Sequence, residues 1–202
     1  MRNSFSILTV CTGNICRSPL AEQLLVTQLR NIPEITISSA GTRALVGEPM
    51  FATTQEIAHS YGAETTEAHR ARQVNETLLE SSDLILAMTR DHRRAVVELS
   101  PRVTRRVFTV REFARLAEVT TDDVLASEIA RTGESPVDRL RAAVKAVTLS
   151  RNILPLLADR AEEDVIDPYQ REKKVHEASA QQLTPAVDAV VSLLRRSVEG
   201  AL

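Results

Sequence analysis

The sequence predicts an α/β fold on a mostly parallel sheet with helices on both faces, because strand-like and helix-like runs alternate through its first half. Three observations carry that expectation. A β-branched run, Phe5-Ser-Ile-Leu-Thr-Val10, gives way at once to a Gly-containing turn and then to apolar residues at helical spacing. Strand-like runs recur at 35–39, 83–88 and 105–110, with helical stretches between them. From Glu112 to Glu163 the strand signal stops and the pattern is helical alone.

The first strand covers 5–10. Pro19 stands near the start of a helix over 20–30, where Leu20, Leu24, Leu25 and Leu29 share one face, and proline is well tolerated in a first helical turn. A second strand at 35–39 is ended by Gly41. Residues 51–61 read as helix, 83–88 as a buried strand, the residues up to Leu99 as helix, and 105–110 as another strand. Within the helical stretch, 139–157 carries Leu140, Val144, Val147, Ile153 and Leu154 and is interrupted by Pro155. Pro185 opens a closing amphipathic helix through Val187, Val190, Val191 and Leu194. With no repeat, low-complexity tract or flexible linker, one domain over 1–202 is expected, with a helical insertion at about 113–163.

Apolar residues make up 43% of the chain and charged residues 26%, enough for a sizeable core. A formal net charge of −2 argues against a general nucleic-acid or membrane-surface binder, which carries a strong basic excess. There is no signal-peptide pattern, and no apolar run reaches the ~18–20 residues of a transmembrane helix. The two cysteines, Cys11 and Cys16, are too few for a disulfide scaffold or a structural zinc site. The expectation is a soluble, cytoplasmic protein of a reducing compartment. The sequence sets no oligomeric state.

The most informative stretch is Val10-Cys-Thr-Gly-Asn-Ile-Cys-Arg-Ser-Pro19, between the first strand and the first helix. A loop that curls into a helix N-terminus aims several backbone N–H groups at one point, where the helix dipole also favours negative charge. Gly13 is expected to remove a side chain where the backbone turns tightly. The same field stabilises a thiolate at Cys11. Arg17 closes the cradle with a planar fork that matches two phosphate oxygens. An isolated cysteine at a strand end is more often a small buried residue. Five residues between Cys11 and Arg17, then Ser18, in a strand–loop–helix setting, reverse that reading toward a phosphate loop with an attacking thiolate.

Cys11-Thr-Gly-Asn-Ile-Cys-Arg-Ser-Pro-Leu-Ala-Glu22 resembles the active-site signature of the low-molecular-weight protein tyrosine phosphatases. The resemblance continues through Ser39-Ala-Gly-Thr42, His69-Arg-Ala-Arg72 and Asp167-Pro-Tyr169, and covers roughly 5–112 and 164–195. It implies a four-stranded parallel sheet flanked by helices, and hydrolysis of phosphotyrosine in proteins through a phosphocysteine intermediate, without metal or cofactor. It also implies roles at the matching positions. Cys11 is the nucleophile and Arg17 binds the transferring phosphoryl group. Thr12, Gly13, Asn14, Ile15, Cys16 and Ser18 form the substrate-binding loop, and Ser18 helps hold the thiolate. Asn14, Ser39 and His69 brace the loop, and Leu45 and Tyr169 flank the substrate entrance. Bacterial members are associated with tyrosine kinases that control polysaccharide export.

Expelling an alcohol or phenol from phosphorus requires a proton for the leaving oxygen. An Asp-Pro pair is usually a turn. The Asp167-Pro-Tyr169 match in the C-terminal part makes Asp167 the expected general acid. Relatives that hydrolyse phosphoarginine look like they carry threonine where this chain has Ile15, so an apolar slot for a phenyl ring is expected. The family's Met-Asp-x-x-Asn is Met88-Thr-Arg-Asp-His92 here, which leaves the packing around Thr89 and His92 open. The alternatives are a thiol-dependent arsenate reductase, a phosphoarginine phosphatase and an inactive phosphopeptide-binding module. A reductase relaying electrons within its own chain needs further cysteines, and none follows Cys16.

Overall fold

Four strands form one parallel sheet: β1 (Phe5–Cys11), β2 (Ile35–Gly41), β3 (Leu84–Ala87) and β4 (Val107–Thr109), in the order β2-β1-β3-β4. They are seen in a computed structural model that describes residues 4–155 and 157–199. β1 lies between two neighbours and feels the two-residue period of a strand on both faces. Phe5, Ile7 and Cys11 enter one apolar cluster, while Leu8 and Val10 enter another. Because β1 has β2 on one side and β3 on the other, the strand order reverses there. The carboxyl ends of β1 and β3 open a crevice at that switch point, the place where such sheets bind ligands.

Helices cover both faces. α1 (Arg17–Leu29), α5 (Val110–Val119), α7 (Pro136–Ser150) and α8 (Lys173–Glu199) bury Leu24, Phe113, Leu140 and Val190 in the larger cluster. α3 (Glu76–Ser81) and α4 (Arg90–Leu99) contribute Leu79 and Val96 to the smaller one. α2 (Ala52–Ser60) and α6 (Asp122–Thr132) complete the helices among the described residues.

The residues expected to form an added helical unit are not an appendage. Ala143 and Val147 of α7 share a core with Phe5, Leu84 and Phe108, and Arg141 pairs with Asp83 at 3.0 Å. The segment is also not helical throughout. α7 stops at Ser150, short of 157, and the described residues from Arg151 to Asp164 are irregular apart from the 3-10 turn Arg160–Glu163. The helix also begins at Pro136, where the Ser135 hydroxyl accepts from Asp138 N at 3.1 Å.

Three further boundaries differ from expectation. Pro185 does not open the last helix. α8 starts at Lys173 and carries Pro185 inside it. Proline removes one backbone bond, but Ala180 and Leu183 before it and Ala186 and Val187 after it are all buried in the same core. α3 is a helix beyond the expected elements, and Asn75 caps it by accepting from Leu78 N at 2.9 Å. α1 begins at Arg17, three residues earlier than its apolar face, because the loop after β1 runs directly into its first turn.

Candidate active site

The loop after β1 is fixed by Asn14, not by Gly13. Asn14 has φ 58°, the left-handed conformation, whereas Gly13 has no positive φ. Asparagine tolerates this conformation when its amide finds local partners. Asn14 Nδ2 donates to Ser18 Oγ at 2.9 Å and to Ser39 Oγ at 2.8 Å, and its Oδ1 accepts from Arg72 N at 2.9 Å. His69 Nε2 donates to the Asn14 carbonyl at 2.7 Å, while its Nδ1 lies 3.8 Å from Glu22, which accepts from Ser39. The glycine that this loop requires is Gly41 on β2. A Cβ there would stand 2.3 Å from the Thr12 carbonyl, against 3.6 Å to the nearest atom for one on Gly13.

The loop's own backbone donors are left over by this bracing. Among the described residues, none of the N–H groups of residues 13–18 has a hydrogen-bond acceptor. Cys11 Sγ lies 3.0 Å from Ser18 Oγ and is buried. Arg17, only 5% exposed, spends two of its nitrogens on the chain: Nη1 donates to the Val165 carbonyl at 3.1 Å, and Nη2 meets Asp167 Oδ2 at 2.7 Å. Its Nε is buried without a partner among the described residues. Backbone N–H groups without acceptors, a buried thiol and a guanidinium with a free donor are an arrangement that can take an oxyanion.

Asp167 is placed by a strap. Val165 N donates to the Met88 carbonyl at the end of β3, Ile166 N to Gln182, and Tyr169 N to Asp167 Oδ1 at 3.1 Å. Asp164 anchors the strap through Arg90, whose Nη2 lies at 2.8 Å, and this holds the Asp164 carboxyl below its ordinary pKa despite partial burial. The cavity over the loop, about 130 Å³, is lined by Cys11, Ile15, Arg17, Leu45, Asp167 and Tyr169. Leu45 and Tyr169 are exposed at its rim, and the edge of Tyr169 meets Phe51, itself stacked on His176 at 5.2 Å. Cys16 is buried beneath, and burial pushes its thiol up to about 12.

The packing of Thr89 and His92, open in the sequence, is settled by the fold; the residues alone give the pair no place at the site. His92 Nε2 lies 2.8 Å from Thr12 Oγ1 and its Nδ1 lies 2.8 Å from Thr89 Oγ1, so the Thr89/His92 pair is tied to the phosphate loop itself. Burial, followed by the charge of Arg17, lowers the His92 pKa to about 4, so the ring is neutral near pH 7. The signal available was Thr89 three residues before His92 at a helix start, where a threonine cap is expected to accept from His92 N. Arg43, for which the sequence sets no role, lines the same cavity. A second cavity of about 440 Å³ shares Thr12, Arg17, Arg43 and Asp167 and adds Thr89 and His92.

The fold is a parallel α/β sheet flanked by helices, with Cys11 and Arg17 side by side at its switch point. Residues 6–147 match the family model of the low molecular weight phosphotyrosine protein phosphatases, and the chain belongs to that family. It is 41% identical over 98 residues to the low molecular weight protein-tyrosine-phosphatase Etp of Escherichia coli K12, a match that covers 48% of this chain and 64% of Etp. The match thus spans less than two thirds of that relative. It is also 41% identical over 102 residues to Wzb of the same strain, covering 50% of this chain and 67% of Wzb. Among solved structures, the Erwinia amylovora tyrosine phosphatase AmsI superposes with TM-score 0.64 at 26% identity, over 95% of this chain and 93% of that one. The YwlE arginine phosphatase of Geobacillus stearothermophilus shares the fold, with TM-score 0.68 at 24% identity over 98% and 97%. No helix among the described residues is long and apolar enough to cross a membrane. The family match ends before Asp167, so the placement of that residue rests on the geometry above.

Proposed function

We propose that the chain is a phosphatase that hydrolyses phosphotyrosine in proteins through a phosphocysteine intermediate. One observation carries the reading: Arg17 spans the site, with its guanidinium 2.7 Å from Asp167 and in the same cradle as Cys11, whose sulfur is 3.0 Å from Ser18 Oγ.

In the first step the Cys11 thiolate attacks phosphorus, the loop N–H groups and Arg17 hold the three non-bridging oxygens, and Asp167 gives its proton to the departing phenolic oxygen. The S–P bond forms as the P–O bond breaks. In the second step the Asp167 carboxylate takes a proton from water, which attacks the phosphocysteine, and inorganic phosphate leaves with the thiolate restored. Ser18 and Asn14 do not react; they hold the sulfur and the turn. The rim of Leu45 and Tyr169, with the buried Ile15 beneath, favours a flat apolar phenyl ring over the polar guanidinium of phosphoarginine. The second cavity, with Arg43 and Asp91 at its edge, is suited to the charged residues that flank a phosphotyrosine in a protein. Etp, Wzb and AmsI bear the name of tyrosine phosphatases, which favours phosphoproteins, including a bacterial tyrosine kinase, as the partner class.

The test is turnover of phosphotyrosine peptide, phosphoarginine peptide and para-nitrophenyl phosphate without added metal, beside arsenate reduction with supplied thiol. Hydrolysis of the phosphotyrosine peptide, lost in Cys11→Ser, is expected. Preference for phosphoarginine, or arsenate reduction without phosphate release, overturns the reading.

A further inference from the structure

Five arginines away from the phosphate loop, Arg90, Arg93, Arg115, Arg151 and Arg160, line one cavity of about 290 Å³ between α4, α5 and the irregular segment after α7. We propose that this cavity is a second anion site, built for a small anion of the diphosphate class, either inorganic pyrophosphate or the diphosphate of a nucleotide.

The charge is the first argument. Only two carboxylates, Glu112 and Glu163, share the lining. Glu112 meets Arg151 Nε at 3.0 Å and Arg93 Nε at 3.7 Å, and Glu163 meets Arg115 Nη1 at 3.3 Å. Each guanidinium carries five N–H donors, so these contacts leave much of the fork of Arg93 and Arg115 unspent. Arg160 makes no hydrogen bond or ion pair among the described residues.

Rigidity is the second argument. Surface arginines that wave in solvent do not make a site, but Arg151, Arg93 and Arg90 are held. Arg151 lies over the Phe108 ring at 3.9 Å and donates through Nη2 to the Val107 carbonyl at 2.8 Å. Arg93 Nε donates to the same carbonyl at 3.3 Å, and Arg90 is clamped by both oxygens of Asp164. A fork fixed before binding loses little entropy when an anion arrives, and planar forks match phosphoryl oxygens two at a time. Burial lowers the Arg151 pKa, and burial with Glu112 nearby raises that of Glu163.

Size is the third argument. Pyrophosphate and a nucleotide's diphosphate each carry two linked phosphoryl groups, and each group can take a planar fork. The volume lies at the lower end of small-molecule pockets, roughly 300–1,000 Å³, which excludes a long polyanion. Leu154 and Pro155 supply an apolar edge on which a nucleoside would rest outside the charged part. The rim continues from Glu163 and Asp164 into the strap that carries Asp167, so the site adjoins the chemistry without sharing its lining residues.

The test is calorimetric titration of pyrophosphate, and separately of ADP, at fixed ionic strength, in an Arg17→Ala background that disables the phosphate loop. Saturable binding of at least one of them is expected. Adding Arg115→Gln with Arg160→Gln should weaken it at least tenfold, and Arg160→Gln alone, a change at an exposed residue, at least threefold. Adding Arg94→Gln with Arg102→Gln, exposed arginines outside the cavity, should leave it unchanged. ADP binding tighter than pyrophosphate identifies the nucleotide as the source. No binding in the Arg17→Ala protein, or equal weakening by the cavity and control pairs, overturns the proposal.

Discussion

Arg17 and Asp167 face each other across the mouth of the phosphate loop at 2.7 Å, the arginine 5% exposed and the aspartate 53%. The carboxylate therefore occupies part of the fork that an incoming phosphoryl group needs. Asp167→Asn should have two opposed effects. Turnover of substrates with poor leaving groups should fall by about 10²–10⁴, the usual contribution of a general acid. Affinity for phosphate or vanadate should rise several-fold, because a competing negative charge is gone. Equilibrium oxyanion binding beside steady-state rates checks both, and unchanged oxyanion affinity would show that the ion pair does not compete.

His92 joins Thr12 of the phosphate loop to Thr89, the cap of α4. Its pKa of about 4 lies below the unfolded value near 6.5, so the folded protein keeps the ring neutral while the unfolded chain takes a proton. The stability this contributes is full above pH 6.5 and is lost as pH falls toward 4, by about 3 kcal/mol in total. Denaturant midpoints measured from pH 7 to 4 should therefore drop less for His92→Gln than for wild type. His92→Ala, which leaves the Thr12 hydroxyl without its partner, should lower kcat more than it raises KM.

Gly41 packs its Cα against the Thr12 carbonyl. Gly41→Ala would push a methyl group to 2.3 Å from that oxygen, so the loop must shift. A loss of about 1–3 kcal/mol in stability, the range for overpacking, is expected together with at least tenfold lower turnover. Gly13→Ala meets only Ile15 and Leu45 at ordinary contact and should keep the stability while raising KM by narrowing the slot. Thermal unfolding and Michaelis kinetics separate the two. Equal stability losses would contradict this account of the loop.

Cys16, the second loop cysteine, is a buried thiol pushed up to about 12. Were Cys11 oxidised to a sulfenic acid by peroxide, Cys16 could close a disulfide only through its small thiolate fraction, which grows about tenfold per pH unit below that value. Disulfide formation after a peroxide pulse should accelerate steadily from pH 7 to 9 and vanish in Cys16→Ser. A rate independent of pH over that range would show that Cys16 is not the trapping group.

Much of this site was legible because its chemistry is local in sequence. Cys11, Asn14, Arg17 and Ser18 fall within one strand–loop–helix unit, and the residue types alone imply the cradle. Asp167 was legible only through the Asp-Pro-Tyr match. Nothing in its spacing predicts that Arg17 and Asp167, 150 residues apart, would close to 2.7 Å. The sequence marks Thr89 and His92 as a departure from the family motif but not the contact with Thr12. Thr12 follows β1 and His92 lies on the helix after β3, and only the adjacency of β1 and β3 brings them together. The limits of the closing helix were misjudged because a proline is a local signal, whereas the helix through Pro185 is held by burial on both sides of it. Gly13 was given a conformational role that belongs to Asn14, since a sequence shows that a turn is tight but not which residue takes the positive φ.

The central claim is that Cys11 becomes covalently phosphorylated during turnover. Mixing Asp167→Asn protein with a phosphotyrosine peptide, quenching in acid within milliseconds and mapping phosphate by mass spectrometry tests it most directly, because loss of the acid and base slows hydrolysis of the intermediate. Phosphate on the peptide that contains Cys11, absent from a Cys11→Ser control, is the predicted result. Peptide turnover with no phosphate on Cys11, or phosphate on another residue, would contradict the account.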